Sequence, residues 1–251
     1  MTAVKTEVEL RELDGVAELK RAEDFQRAVW GADDPADNSD LMLAIQHEGG
    51  LVAGAFVKGR MLGFLFGFPT KDPQVQHSHR LAVHPDSRGM GLGAHLKWYQ
   101  RDWCLARGIT SVRWTFDPLR RINANLNIAR LGATADTYLP DYYGKMEGIN
   151  AGVASDRIVA DWTLGSKRVK GLAEGLSGES EDTTVALHIK IPENIGDLLS
   201  NDLDQALSER KRVRDEMTTA FDKGYWISGF NSAINAYELS GCHTQTGLSH
   251  S

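Results

Sequence analysis

The sequence predicts an α/β (α+β) fold in which helices flank a sheet, followed by a smaller strand–helix–strand unit. Three observations carry that expectation. Strand and helix patterns interleave along the first two thirds of the 251 residues. A Gly-rich turn at residues 88–93 joins a strand pattern to a strongly amphipathic helix pattern. A polar, Gly-rich stretch at 165–182 then separates a second, shorter set of elements.

Residues 4–10 alternate apolar and polar side chains and read as a strand. A helical pattern follows at 17–30, with Leu19, Phe25, Ala28 and Val29 on the buried side. Residues 31–40, GADDPADNSD, concentrate turn formers and read as a loop. Apolar runs at 51–57 and 61–68, joined by Lys58-Gly59-Arg60, read as a hairpin. Residues 75–83 form the next strand. Leu92, Leu96, Tyr99, Trp103 and Ala106 recur at steps of four and three, which places them on one helix face, and Gly108 follows as its stop. A strand is expected at 110–116. Asp117-Pro118 reads as a helix start, with Leu119, Ile122, Leu126 and Ala129 lining one face and Gly132 closing it. Strands at 134–139 and 157–164 flank a loop at 140–156. The second unit begins with a strand at 185–191. Its helix, 201–223, carries Leu203, Leu207, Val213, Met217 and Phe221 on the apolar side, and strand material at 225–230 and 236–239 ends it. This gives a division into 1–166, a linker at 167–183, a small unit at 184–240 and a tail at 241–251.

The chain carries 28 basic and 34 acidic residues, a net charge of −6. That balance disfavours nucleic acid, whose phosphates need a concentrated positive surface. No apolar run is long enough to span a bilayer, and the N-terminus MTAVKTEVEL has no apolar leader core. The two cysteines, Cys104 and Cys242, make no disulfide framework. A cytoplasmic place is expected.

The chemistry concentrates at Arg88-Gly89-Met90-Gly91-Leu92-Gly93. Glycines before a helix let backbone N–H groups approach an anion closely, the helix start adds partial positive charge, and Arg88 adds a full one. The spacing does not fit the dinucleotide fingerprint, and no G-K-S/T follows as a phosphate loop requires. It fits R-x-x-G-x-G, preceded by a strand and by Val83-His84-Pro85, the pyrophosphate turn of acyl-CoA-dependent N-acyltransferases. His77, His79 and His84 offer no third metal ligand in register, so no metal is expected.

On these residues the chain resembles the GNAT superfamily, and a bacterial group of predicted GNAT acyltransferases within it. Further elements of the resemblance are the motifs at 78–85, 114–119, 123–127, 131–133, 138–144, 156–157 and 221–230. The resemblance implies a mixed, centrally splayed sheet and acetyl-CoA, or another acyl-CoA, as co-substrate. It implies that Leu81, Ala82 and Val83 offer backbone to the pantetheine arm. The amides of Arg88, Gly89, Met90, Gly91, Leu92 and Gly93 would hold the pyrophosphate, and Asn123, Asn125 or Asn127 would touch the arm. The acceptor amine would attack the thioester directly, and an acid would protonate the thiolate. The Tyr that usually supplies this proton is absent, because its position is Ile128. Tyr138, Tyr142 and Tyr143 are the nearby phenols, each also readable as a packing aromatic. His79 is the candidate base, and strand parity alone would equally bury it. Asp33, Asp34 and Asp40 precede the hairpin, where an acidic group would attract an ammonium, although turn chemistry also explains them. Arg157 is a candidate for a substrate carboxylate or for a surface pair with Asp156. The expected acceptor is a small-molecule amine or amino acid, and a homodimer is left open. The alternatives are a succinyl-CoA-dependent amino-acid N-succinyltransferase and a CoA-binding regulatory module without catalysis.

Overall fold

A computed structural model describes residues 7–31, 35–144, 154–176 and 184–241. Cys242, Asp33 and Asp34 lie outside the described residues. The chain clusters into two compact units, residues 1–114 with 162–166, and residues 115–161 with 167–251.

The first unit contains β1 (Glu9–Glu12), α1 (Gly15–Trp30), α2 (Ser39–His47), β2 (Leu51–Val57), β3 (Arg60–Pro69), β4 (Val75–Val83) and α3 (Leu92–Leu105). Residues of β5 (Ser111–Phe116) and β7 (Arg157–Thr163) belong to both units. Strand order in this unit is β1-β2-β3-β4-β5. The first four strands pair antiparallel, and β4 pairs parallel to β5. The hairpin between β2 and β3 turns on Lys58 and Gly59, both at positive φ, the two-residue turn that matches strand twist.

Two layers of side chains hold this sheet. Leu19, Ala22, Phe25 and Met42 from α1 and α2 pack on Val52, Phe56, Phe64 and Phe66. Burial stabilises by roughly 1.5–3 kcal/mol for each large side chain. On α3, Leu92, Leu96, Lys97, Gln100, Trp103 and Cys104 are buried. Gly63 on β3 admits this helix, since a Cβ there would meet Leu96 Cδ1 at 2.8 Å.

The second unit contains α4 (Arg121–Ala124), a π-turn (Asn125–Arg130), β6 (Thr134–Leu139), α5 (Lys167–Ala173), β8 (Val185–Lys190), α6 (Ile195–Asn201), α7 (Leu203–Asp222), β9 (Tyr225–Asn231) and β10 (Ala236–Gly241). Its strand order is β7-β6-β9-β10-β8. The C-terminal strands therefore extend the sheet from β6, through Ala135↔Ile227. Ala206, Val213, Met217 and Ala220 form the buried stripe of α7. Two buried ionic ties fix the same helix. Arg210 grips Asp117 with contacts of 2.9 and 3.2 Å, and Arg214 Nε donates to Asp156 Oδ2 at 2.9 Å.

Several expectations are corrected. The described part of the first strand starts at Glu9, with Glu7 and Val8 outside it, and residues 4–6 of the expected strand lie outside the described residues. Helix α2 stands where a loop was expected to lead straight into the hairpin, because Asn38 accepts the Leu41 N–H and caps a turn. Asp117 does not start a helix at 118. It caps a tight turn at the Leu119 N–H, and helical geometry begins only at Arg121. The π-turn then rotates the faces, so Ile122 is 82% exposed while Ala124, Asn127 and Ile128 are buried. The polar stretch after residue 165 contains α5. Leu203 and Leu207 are exposed, because Asp202 caps α7 and the buried stripe runs through Ala206 and Arg210 instead.

Candidate active site

The pairing of β4 with β5 sets the geometry. It runs from Val75↔Ser111 to His77↔Arg113. Beyond His77, β4 keeps its antiparallel partner β3, through Gly67↔Ser78, Phe66↔Arg80, Leu65↔Leu81, Phe64↔Ala82 and Gly63↔Val83. Among the described residues, the parallel register of β4 with β5 ends at His77↔Arg113, while β4 itself runs on to Val83. An extended ligand would add to such a stretch through its backbone N–H and C=O groups.

A bulge falls in this stretch. The register skips from Ser78 to Arg80 against consecutive residues of β3, so His79 is the extra residue. The bulge carries His79 out to solvent, which decides the question that strand parity left open. Its imidazole packs edge-on against Phe66 at 5.7 Å, and Nε2 lies 3.3 Å from Asp37 Oδ1. Arg80 clamps the same carboxylate from the other oxygen at 3.1 Å, donates to the Pro35 carbonyl and lies over the Trp30 ring. Asp37 is thereby fixed beside the bulge. It was not among the acidic candidates read from the sequence, because its neighbours read as generic turn formers. Asp40 sits exposed in the first turn of α2.

After β4, His84 caps a single 3-10 turn, Pro85–Ser87. Gly89 has φ 84°, and Gly91, the N-cap of α3, has φ 69°. Both conformations favour glycine. The amides of Arg88 and Met90 are already used, donating to Pro85 and Ser87 carbonyls at 3.1 Å. The anion-facing donors are therefore fewer than the six expected, and they centre on the first turn of α3, whose N–H groups have no intrahelical partner. Arg88 and Gly89 are exposed, Met90, Gly91 and Gly93 are half-buried, and Leu92 is core. Leu81 and Val83 are half-buried and Ala82 is buried.

The remaining candidates belong to the second unit. Tyr138 donates to Asp156 Oδ2 at 2.6 Å. Burial, then this bond, raises its phenol above the ordinary tyrosine range. Burial opposes ionisation of Asp156, but Arg214, Tyr138 and the Asp141 N–H outweigh it and lower its pKa. Tyr142 and Tyr143 are exposed. Arg157 donates to the Asp156 carbonyl and lies 4.9 Å from the Tyr143 ring centre. Asn127 is buried and Asn123 half-buried.

One group that the sequence reading passed over stands at the apex of the splay. Lys97 is 2% exposed. Its Nζ donates to Gln100 Oε1 at 2.8 Å and Ser78 Oγ at 3.0 Å, and faces the Trp114 ring at 3.6 Å. Burial pulls its pKa down to about 7. Lys97, Gln100 and Cys104 recur at steps of three and four beside the apolar stripe. That recurrence was the available signal, and it reads as an ordinary polar flank until the packing is seen.

Strand β4 thus parts from β5 after His77, carries a bulge at His79 and leads through a Gly-rich turn into α3. Residues 16–126 match the acetyltransferase (GNAT) family and form a GNAT acetyltransferase domain. By that domain the chain is an acyl-CoA-dependent N-acyltransferase. The solved structures it resembles share the fold. The ribosomal-protein-S18-alanine N-acetyltransferase of Escherichia coli superposes with a TM-score of 0.53 at 18% identity, covering 64% of this chain and 96% of its own. An aminoglycoside 6'-acetyltransferase type Ii gives 0.51 at 17%, covering 63% and 99%. The yncA protein of Salmonella typhimurium, solved with its cofactor acetyl-CoA, gives 0.53 at 20%, covering 64% and 96%. No curated protein matches the chain in sequence. Among the described residues, no helix is long and apolar enough to cross a membrane, and no group of three or more His, Cys, Asp or Glu could hold a metal ion.

Proposed function

We propose that this protein transfers an acetyl group from acetyl-CoA to the primary amine of a small molecule in the cytoplasm. The observation that carries the reading is the end of the β4–β5 pairing at His77↔Arg113, with β4 running on to Val83 and then through a Gly-rich turn into α3. Leu81, Ala82 and Val83 supply backbone groups to the pantetheine arm. The first-turn amides of α3, with Arg88, take the pyrophosphate. No side chain stands in the way at Gly89, where an added Cβ would meet nothing within 4 Å. His79 accepts the acceptor's proton, and Asp37, 3.3 Å from its Nε2, orients the imidazole. The amine then attacks the thioester carbonyl. Of the three phenols considered for the acid, Tyr138 is the least suited, since its proton is already committed to Asp156.

The experiment is a thiol-release assay with acetyl-CoA and succinyl-CoA against a panel of amines and amino acids, alongside calorimetric titration with CoA. Acetyl transfer to a small amine is expected. Saturable CoA binding with no release from any acceptor would make the chain a binding module, and succinyl preference would change the donor. Gly91→Glu puts bulk and negative charge at the helix start, so CoA binding should be lost. Unchanged affinity in that variant removes the turn from the site. His79→Gln should lower kcat/KM about 10²-fold.

A further inference from the structure

The point where β4 and β5 part is occupied by one amine. The last recorded pair is His77↔Arg113, so the next residues on the two strands are Ser78 and Trp114. Lys97 reaches in from α3 and touches both, donating to Ser78 Oγ at 3.0 Å with its Nζ 3.6 Å from the Trp114 ring centre. Trp162 of β7 closes the far side at 5.3 Å. The titratable groups facing it are Cys104 on its own helix and His77 on β4, and β5 and β7 present the rings of Trp114 and Trp162. Among the described residues no carboxylate is paired with Lys97. Burial without a counter-ion disfavours the charged form of this lysine, which makes it a candidate for a chemical role.

We propose that Lys97 is the proton donor to the departing CoA thiolate. The proposal rests on the reading of the β4 stretch beyond His77 as the acyl-CoA site. From Val83 back to Ser78 that stretch spans about 17 Å at 3.3 Å per residue. A ligand anchored at the helix start and laid along it delivers its thioester end toward the apex. The chain also lacks the usual donor. Ile128 is fully buried at the position where the family pattern has a Tyr, and the Tyr138 proton is bound to Asp156.

The step balances. The acceptor nitrogen bonds to the acyl carbon, and the C–S bond breaks with its electron pair on sulfur. A Lys97 Nζ–H proton passes to that sulfur, giving the CoA thiol and a neutral lysine. The nitrogen's surplus proton leaves to solvent through His79, and Lys97 is reprotonated from solvent after the CoA thiol departs. The transfer runs downhill, because burial makes this ammonium more acidic than a thiol of ordinary pKa near 8.5.

The test compares wild type, Lys97→Met and Lys97→Arg. Acetyl-CoA affinity should stay within a few-fold in both variants, while turnover at pH 6.5 falls about 10²-fold. The wild-type-to-Met rate ratio cancels titration of the acceptor. It should decline roughly tenfold per pH unit above neutrality, as Lys97 loses its proton. Arginine keeps the charge and the donors but holds its proton, so it should be as slow as methionine. Full rescue by Lys97→Arg, or a ratio constant from pH 6 to 9, would overturn the proposal in favour of a packing role. A readout on wild-type protein needs no variant to fold. In lysine labelled with 13C at Cε, the Lys97 signal should titrate near neutrality and move when CoA is added, and a signal that stays charged to pH 9.5 refutes the donor role. A wild-type chain that fails to bind acetyl-CoA removes the site reading itself, whereas normal binding with an unchanged ratio removes only Lys97.

Discussion

At the scale of single residues, burial decides which polar groups are chemically unusual. Lys97 and Asp156 are both buried ions, but they are handled in opposite ways. Asp156 keeps its charge because Arg214, Tyr138 and a backbone N–H surround it. Lys97 has neutral partners, and burial lowers its pKa instead. The sign of the stability effect follows. Between about 7 and the ordinary lysine value near 10.4, the folded chain binds fewer protons at this site than the unfolded chain. Stability from this group is therefore lowest below neutrality and rises with pH across that window, by up to ~1.4 kcal/mol per unit. Lys97→Met should remove that slope, so its gain over wild type in urea unfolding should be larger at pH 6.5 than at pH 10. An equal difference at both values would mean that the amine is charged throughout. Tyr138→Phe takes a donor from a buried carboxylate and should cost about 1–3 kcal/mol, read by the same unfolding curves.

At the scale of elements, local chemistry set most boundaries, and it failed where a neighbour outvoted it. The hairpin turn, the strand of β4 and the start of α3 follow from Gly, alternation and helical spacing in plain view. Helix α2 was hidden because its cap, Asn38, sits in a run of turn formers, and turn and cap use the same residue types. Asn38→Ala should lower thermal stability by about 1 kcal/mol and loosen the loop that presents Asp37. Hydrogen exchange at the first amides of α2 reports it, and protection equal to wild type would show that the cap is dispensable. The segment after Asp117 failed for a different reason. A π-turn inserts an extra residue per turn, so a 3.6-residue projection put Ile122 inside and Ile128 on the wrong face. The bulge at His79 is similarly invisible to period-two counting.

At the scale of the whole molecule, the C-terminal residues are woven into the second unit and do not stand apart from residues 115–161. Strand β9 pairs with β6, and α7 sends Arg210 to Asp117 and Arg214 to Asp156. Truncation before residue 184 would therefore leave two carboxylates without their guanidinium partners. Arg214→Ala tests this more gently. It leaves a fully buried carboxylate unpaired and should cost about 3–5 kcal/mol. Because the Asp156 pKa is lowered on folding, its contribution is present above the ordinary aspartate range near 3.9 and is lost as pH falls through the folded value. Wild type should therefore lose more stability than Arg214→Ala on acidification from pH 5 to 3. Equal acid sensitivity would show that the pair contributes nothing.

The sequence by itself determined the class of fold, the strand–turn–helix around the Gly-rich turn, and the likeness of residues 16–126 to the acetyltransferase (GNAT) family. Those rest on glycine spacing and hydrophobic period, which are properties of neighbours along the chain. Tertiary structure alone decided that His79 is turned out by a bulge and set against Asp37, that Tyr138 is bound to Asp156, and that Lys97 closes the apex between β4 and β5. Each of these depends on which strand pairs with which and where the pairing stops. Desolvation and register are set by residues distant in sequence, so no local pattern encodes them.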